Sequence, residues 1–334
     1  MIIVTGGAGF IGSNIVHGLN LRGVTDILIV DDLGKGDKYK NLLGLKFVDY
    51  MHMDDFLKKI TDEEGYFDDD IHAIFHEGAC SDTMEYDVNY MMKRNFEYSK
   101  AILNFCIDEE IALIYASSAS TYGNGENGFR ETEECENALN PYAFSKLLFD
   151  RHVRYVLKNL ENSEFYSPNV VGLRYFNVYG AQEQHKGRMA SIFYQMYNQV
   201  KSTGVIKLFK GSDGYADGEQ RRDFISVDDV VKVNLWALDK IDDEEIESGI
   251  YNCGTGKAHT YNEAAQAVIK ALGTGKIEYV DFPPELQGKY QSFTQADTRN
   301  LIRAGYDEGF TDFQESVANY CKFLENGGLF SIKN

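Results

Sequence analysis

The sequence predicts an α/β protein built on a doubly wound parallel sheet, with a smaller C-terminal α/β unit. Three observations lead there. Short runs of β-branched and apolar residues alternate with longer helix-like stretches, the pattern of strand–helix–strand units. The first run ends in a glycine-rich turn that opens a helical pattern. After about residue 175 the alternation loosens and acidic, Gly-rich loops appear, around residues 211–219 and 242–248. The sheet is therefore expected over residues 1–175. A mainly substrate-binding part is expected over residues 176–334, with some later segments returning to the sheet.

Element by element, residues 2–5, 27–30, 73–75, 112–116 and 170–174 read as buried strands. Helices are expected at residues 12–21, around 90–105, and at 141–160, where Pro141 sits in the first turn and is tolerated there. Further helices are expected at residues 228–238, 261–272 and 312–324. Residues 250–252 and 277–279 read as strands of the smaller unit.

Composition narrows the function classes. The 334 residues carry 52 acids against 33 Lys and Arg, a net charge of -19. Such a chain is a poor partner for nucleic acids or anionic membranes, both polyanions. Five dispersed cysteines with no C-x-x-C pair match neither a disulfide framework nor a zinc site, and fit a reducing compartment. No signal peptide or spanning helix is visible, so the expected location is the cytoplasm. His72 and His76 flank a strand rather than sharing a helix face, and no metal site is expected.

The chemistry starts at the first turn. Gly6, Gly9 and Gly12 follow a strand and precede a helix. That spacing provides a tight turn, close backbone approach to a pyrophosphate, and amide donors at a helix N-terminus. Asp31 and Asp32 follow the next strand, where a carboxylate holds a ribose hydroxyl. Asp31 alone favours NAD; Lys35, Lys38 and Lys40 nearby could offset it in favour of NADP, or could be a solvated loop. Farther on, Tyr142 and Lys146 lie four apart on one expected helix face, and a hydroxyl-rich segment around Ser118 follows a strand. A free tyrosine is a weak base at neutral pH; an ammonium beside it, with the positive nicotinamide ring, is expected to lower its pKa.

This order of motifs resembles the extended, sugar-nucleotide branch of the short-chain dehydrogenase/reductase superfamily, with its Rossmann-type sheet. Within it the chain is most similar to the ADP-glyceromanno-heptose 6-epimerase family. Residues 76–81 (HEGACS), 183–191 (EQHKGRMAS), 208–212 (LFKGS) and 288–297 (GKYQSFTQAD) carry that likeness. The resemblance implies Tyr142, Ser118 and Lys146 as catalytic residues and Lys186 as a second acid/base, against the alternative of a surface lysine. It implies one tightly held NADP or NAD per subunit. The cofactor would lie against Gly6, Gly9, Phe10, Ile11, Gly12, Asp31, Asp32, Lys38, Glu77, Gly78, Ala79, Cys80, Ser81, Asn95, Lys146 and Val178. It also implies substrate contacts at Asn177, Arg188, Phe209, Gly211, Ser212, Arg222 and Tyr290. Arg222 could instead form an ion pair with Asp223 or Asp229.

The implied reaction is redox-neutral inversion at C-6″ of an ADP-heptose, in nucleotide-heptose supply for lipopolysaccharide core. The implied assembly is a homo-oligomer, a pentamer by resemblance. Dehydratases of this branch carry an Asp-Glu pair where this chain has Ala119 and Ser120, so dehydration is disfavoured. A UDP-hexose 4-epimerase is the enzymatic alternative, and an NAD(P)-sensing regulator the non-enzymatic one. The chain departs from the family pattern at Arg188, at Met53, and in longer loops at 123–140 and 211–220.

Overall fold

A computed structural model describes residues 1–62, 67, 70–160, 169–283 and 291–330. The strands are β1 (Ile2–Thr5), β2 (Ile27–Asp31), β3 (Asp49–His52), β4 (Ala73–His76), β5 (Ala112–Ser118), β6 (Val170–Tyr175), β7 (Asn177–Tyr179), β8 (Val205–Phe209), β9 (Arg221–Ser226), β10 (Gly249–Cys253), β11 (Ala258–Thr260) and β12 (Lys276–Val280). The helices are α1 (Phe10–Leu21), α2 (Met53–Thr61), α3 (Val88–Met91), α4 (Tyr98–Asp108), α5 (Pro141–Leu160), α6 (Ile192–Thr203), α7 (Val227–Asp242), α8 (Tyr261–Leu272), α9 (Arg299–Arg303) and α10 (Phe313–Glu325).

Among the described residues, seven strands form one sheet in the order β10-β6-β5-β4-β1-β2-β3. Every pairing in it is parallel. The chain runs outward from β1 to β3, then crosses back to β4 and runs the other way. The switch point lies between β1 and β4, where such sheets open a crevice at the carboxyl ends of the strands. β1, β2 and β4 are buried at every position, which explains their unbroken apolar runs. One face packs on α1 and α7 through Ile15, Leu19, Val230 and Trp236. The other packs on α2, α4 and α5 through Phe56, Ile102 and Phe149.

One expectation needs correction. Residues 250–252 were assigned to the smaller unit, but β10 joins the main sheet beside β6, with Tyr251 opposite Leu173. Its alternation does not specify which sheet it joins; that is set by α7, which brings the chain back across the face of the sheet. β12 does lie outside the main sheet, paired in parallel with β8. A third sheet has the order β11-β9-β7. There Phe193, Phe224, Val268 and Val317 form a separate core with α6, α8 and α10. The cap of α8 is a reciprocal Thr260–Glu263 box.

Candidate active site

A cleft of about 440 Å³ opens at the switch point. Its floor is the glycine turn. Gly6 has φ +65, and a Cβ there would lie 2.7 Å from Gly78 N; a Cβ on Gly12 would lie 2.3 Å from Gly6 O. Only glycine permits this turn. Gly9 caps α1 with no side-chain bond and no acid in the first turn. The leading amides of that helix suit an anion. These features fit a dinucleotide diphosphate.

The rim at β2 is built around Asp31. Its Oδ2 accepts from Ala8 N at 2.9 Å, fixing the glycine turn, and its Oδ1 pairs with Lys38. Lys38 also reaches Asp32 O at 3.1 Å. So Lys38 is committed to the acids beside it, while Lys40 pairs with Asp37. Met53 and Arg94 complete this end, Arg94 donating to Met53 Sδ at 2.9 Å and to Asp54 at 3.2 Å.

β4 is tied to the turn through His76. Ser99 Oγ donates to Asn95 O, so it accepts from His76 Nε2 at 2.7 Å. His76 Nδ1 then accepts from Thr5 Oγ1 at 2.6 Å, and Thr5 Oγ1 accepts from Gly78 N at 3.2 Å. The ring is a neutral imidazole, and burial, then Lys146, pushes it down to about 3.

Asn95 stands behind the cleft rather than in it. It lies in a π-helical turn, Met92–Glu97, between α3 and α4. Its amide accepts from Cys80 N at 2.8 Å and donates to Cys80 O at 3.0 Å and to Ser145 Oγ at 3.0 Å. Ser145 in turn donates to Tyr142 O at 2.7 Å. Asn95 thus joins the 77–81 loop to α5. π turns recur at functional positions.

α5 begins with Pro141 and is capped by Asn140, whose Oδ1 accepts from Ala143 N at 2.8 Å. That places Tyr142 in the first turn and Lys146 one turn on, both lining the cleft with Ser118 at the end of β5. Lys146 Nζ donates to Ala116 O at 2.7 Å. Burial holds Lys146 down to about 8, against Glu77 and Asp150, which raise it. The expected lowering of the Tyr142 pKa rests on an ammonium and a positive nicotinamide ring together; within the protein alone burial raises it, and a hydrogen bond with Ser118 only partly opposes that. One donor of the Lys146 ammonium is bonded to a carbonyl, and the low-dielectric interior penalises phenolate more strongly.

A further part of the lining comes from the 3-10 segment Gln184–Met189, broken at Gly187, φ 55. Glu183 anchors it, accepting from Ser191 Oγ at 2.7 Å and Tyr320 OH at 2.7 Å. Lys186 lines the cleft, its Nζ 5.3 Å from the Phe10 ring centroid. Burial lowers its pKa, and Glu183 opposes that. It is therefore not a plain surface lysine. His185 bonds Asn41 Nδ2 at 3.1 Å, and burial, with Lys38 and Lys186, holds it down to about 4.

The expected substrate residues lie farther out, and those described are not part of this cleft's lining. Asn177 Oδ1 accepts from Thr294 Oγ1 at 3.1 Å. Phe209 packs edge-on to Phe282. Gly211 N donates to Asp217 at 2.8 Å, and Ser212 Oγ accepts from Gln220 at 3.1 Å. Arg188 is 74% exposed and pairs with Asp82 at 3.1 Å. Tyr290 lies outside the described residues. Neither expected acid pairs with Arg222. Asp223 accepts from Thr255, Gly256 and Ala296, and Asp229 from Ser226, Lys232 and Thr311. The Arg222 guanidinium lies over the Tyr261 ring at 5.9 Å.

Sequence reasoning missed Tyr90, Arg94, Tyr175 and Phe176, which also line the cleft. Tyr175 and Phe176 stand in the stretch RYFNVYG, so the signal for them was present. Tyr90 and Arg94 come from a stretch read only as helical.

Comparison with known proteins agrees with this geometry. The chain is 53% identical over 320 residues to the ADP-L-glycero-D-manno-heptose-6-epimerase of Alkalilimnicola ehrlichii, covering 96% of each chain. It is 52% identical to the protein of the same name from Brachyspira hyodysenteriae, covering 98% of this chain and 99% of that one. The crystal structure of the Helicobacter pylori ADP-L-glycero-D-manno-heptose-6-epimerase superposes with a TM-score of 0.79 at 29% identity, covering 97% and 96%. A Thermus thermophilus UDP-glucose 4-epimerase in complex with NAD superposes at 0.74, with 26% identity and coverage of 97% and 98%. The family profile described as NAD dependent epimerase/dehydratase matches residues 2–254, a span that ends one residue past β10, where the seven-stranded sheet is completed. On fold, cleft and profile together, the chain belongs to the NAD dependent epimerase/dehydratase family.

Proposed function

We propose that this protein is an isomerase that interconverts ADP-D-glycero-β-D-manno-heptose and ADP-L-glycero-β-D-manno-heptose by inversion at C-6″. The observation that carries the reading is a single cleft lined by Ser118, Tyr142 and Lys146 from β5 and α5 and by Lys186 from a separate segment. The names of the relatives at 52% and 53% identity support the substrate.

Gly6, Gly9, Gly12, Lys38 and the 77–81 loop would hold the dinucleotide, NAD or NADP, one per subunit and tightly. When bound, it supplies a reversible hydride acceptor and a positive ring that favours a nearby phenolate. Tyr142 takes the proton of the C-6″ hydroxyl, and Ser118 orients that oxygen by hydrogen bonding. With its hydride lost to that acceptor, C-6″, bonded to C-5″ and C-7″, would become a planar ketone, which can present either face and would take the hydride back on the other one. After rotation its oxygen faces Lys186, which gives it a proton. Two acid/base groups from separate segments suit two orientations of one substrate. The reading includes residues 1–175 as the dinucleotide-binding part, completed by β10, and residues 176–334 as mainly substrate-binding. It also includes a cytoplasmic homo-oligomer, pentameric by resemblance, in the supply of heptose for lipopolysaccharide core.

The test is incubation of the full chain with ADP-D-glycero-β-D-manno-heptose, following C-6″ by NMR, with and without added NAD+ or NADP+. Approach to a mixture of epimers without added cofactor supports the whole reading. No change under any condition overturns the heptose assignment.

A further inference from the structure

Lys146 is buried at 5% exposure, and among the described residues it donates only to Ala116 O. A buried ammonium with donors to spare needs a negative charge nearby. The neighbours that could supply one come from three strands, from the loop after β4 and from α5 itself. Asp150, one turn along α5, is committed: its Oδ1 accepts from Tyr115 at 3.0 Å, and its Oδ2 from Ser117 and Arg174, each at 2.8 Å. It favours the Lys146 charge, but less than Glu77 does, and it shares its own charge with Arg174. His76 on β4 is neutral by its hydrogen bonds. Tyr142 on α5, Tyr175 on β6 and Cys253 on β10 are all held toward their neutral forms by burial.

Glu77 remains. Its Oε1 accepts from Tyr175 OH at 2.9 Å, and Asn234 on α7 holds that hydroxyl at 2.9 Å. Its Oε2 is buried with no hydrogen-bond partner among the described residues. Glu77 and Lys146 line the same cleft without forming a contact ion pair. In a water-poor interior their attraction acts across that gap.

We propose that Glu77 is a positioning residue for the catalytic pair, its carboxylate being the counter-charge that keeps Lys146 protonated beside Tyr142. The role assigned to Tyr142 rests on the epimerase reading, whereas the charge relation stands on the cleft alone. The electrostatics agree in sign. Burial pushes Glu77 up to about 7 and Lys146 down to about 8, and each draws the other toward its charged form. Without the Glu77 charge, Lys146 loses its proton at lower pH, and the alkaline limit of turnover falls with it.

The experiment is an NMR titration of the full chain labelled at lysine Cε, with the Lys146 signal assigned through Lys146→Arg. Glu77→Gln should move the Lys146 midpoint down by about one pH unit. Glu77→Asp, which keeps the charge, should return most of that shift. A midpoint unmoved in Glu77→Gln overturns the proposal, even if turnover falls, because that result assigns Glu77 a structural role only. Should Glu77→Gln fail to fold, Tyr175→Phe removes the donor that favours the Glu77 carboxylate. It should shift Lys146 in the same direction by less, and no shift there overturns the proposal too. The titration needs no substrate. A failed C-6″ assay with the midpoint shifted therefore rejects the heptose reading and leaves this one standing.

Discussion

The two walls of the cleft each present a lysine, and they hold it differently. Lys146 projects from a twenty-residue helix whose first turn is fixed by Pro141, Asn140 and Ser145, and its amine is bonded to a strand carbonyl. Behind that wall, Asp150, Arg174 and Glu136 form a buried ionic network, with Arg154 joining at 2.6 Å. Lys186 stands on a six-residue 3-10 segment broken at Gly187, and its amine rests over the Phe10 ring. A base that must meet one fixed hydroxyl profits from the first arrangement. An acid that must meet an oxygen after the sugar has turned can tolerate the second.

The sharpest way to break this contrast is to remove the chemistry of the tied wall. Tyr142→Phe should lower turnover about 10³-fold, read by C-6″ NMR, with cofactor binding retained. Next is the tie itself. Arg174→Met leaves Asp150 buried without its counter-charge and should cost about 3 kcal/mol in urea unfolding. Lys186→Met should lower turnover about 10²-fold with an unchanged unfolding curve, since its amine has few ties to lose; full activity would reduce the second wall to scaffold. A smaller effect comes from His76. Its folded-state pKa is depressed to about 3, so below about 6.5 the unfolded chain binds a proton that the folded chain does not. Stability should therefore fall with falling pH, by up to about 2 kcal/mol at pH 5 relative to pH 7. His76→Gln should flatten that dependence. Arg188→Ala should have the least effect. Its pair with Asp82 is exposed and outside the cleft's lining, and its loss should change KM by about fivefold or less and leave unfolding unchanged.

The same contrast separates what the sequence revealed from what it hid. The glycine turn, Ser118, Tyr142 and Lys146 were legible because each sits where a strand or helix begins or ends, and punctuation residues mark those points. The long helix from Pro141 was legible to the residue for the same reason. Residues 250–252 read correctly as a strand but were given the wrong neighbours, since periodicity reports which face is buried and not which strand lies alongside. Asn95 was named as a cofactor contact, and its bonds to Cys80 and Ser145 were hidden because they depend on a helix turn of unusual width. The acidic segment 123–140 was read only as a long loop. In the fold its Glu136 is fully buried among arginines and its Glu131 accepts from Asn252 N at 2.8 Å. Charge patterning alone cannot show which acids turn inward.

That wide turn has a consequence for how the gene can change. The π-helical residues Met92–Glu97 close their hydrogen bonds one residue wider than their α-helical flanks. Deleting any one of them would let the segment relax into a regular helix with its flanks nearly in phase, because five residues at about 100° each turn the chain about as far as six in the wider turn. The buried faces before and after it would keep their places in the core, while Asn95 would swing off Cys80. The extra residue therefore serves the Asn95 bonds and not the register of the helices on either side.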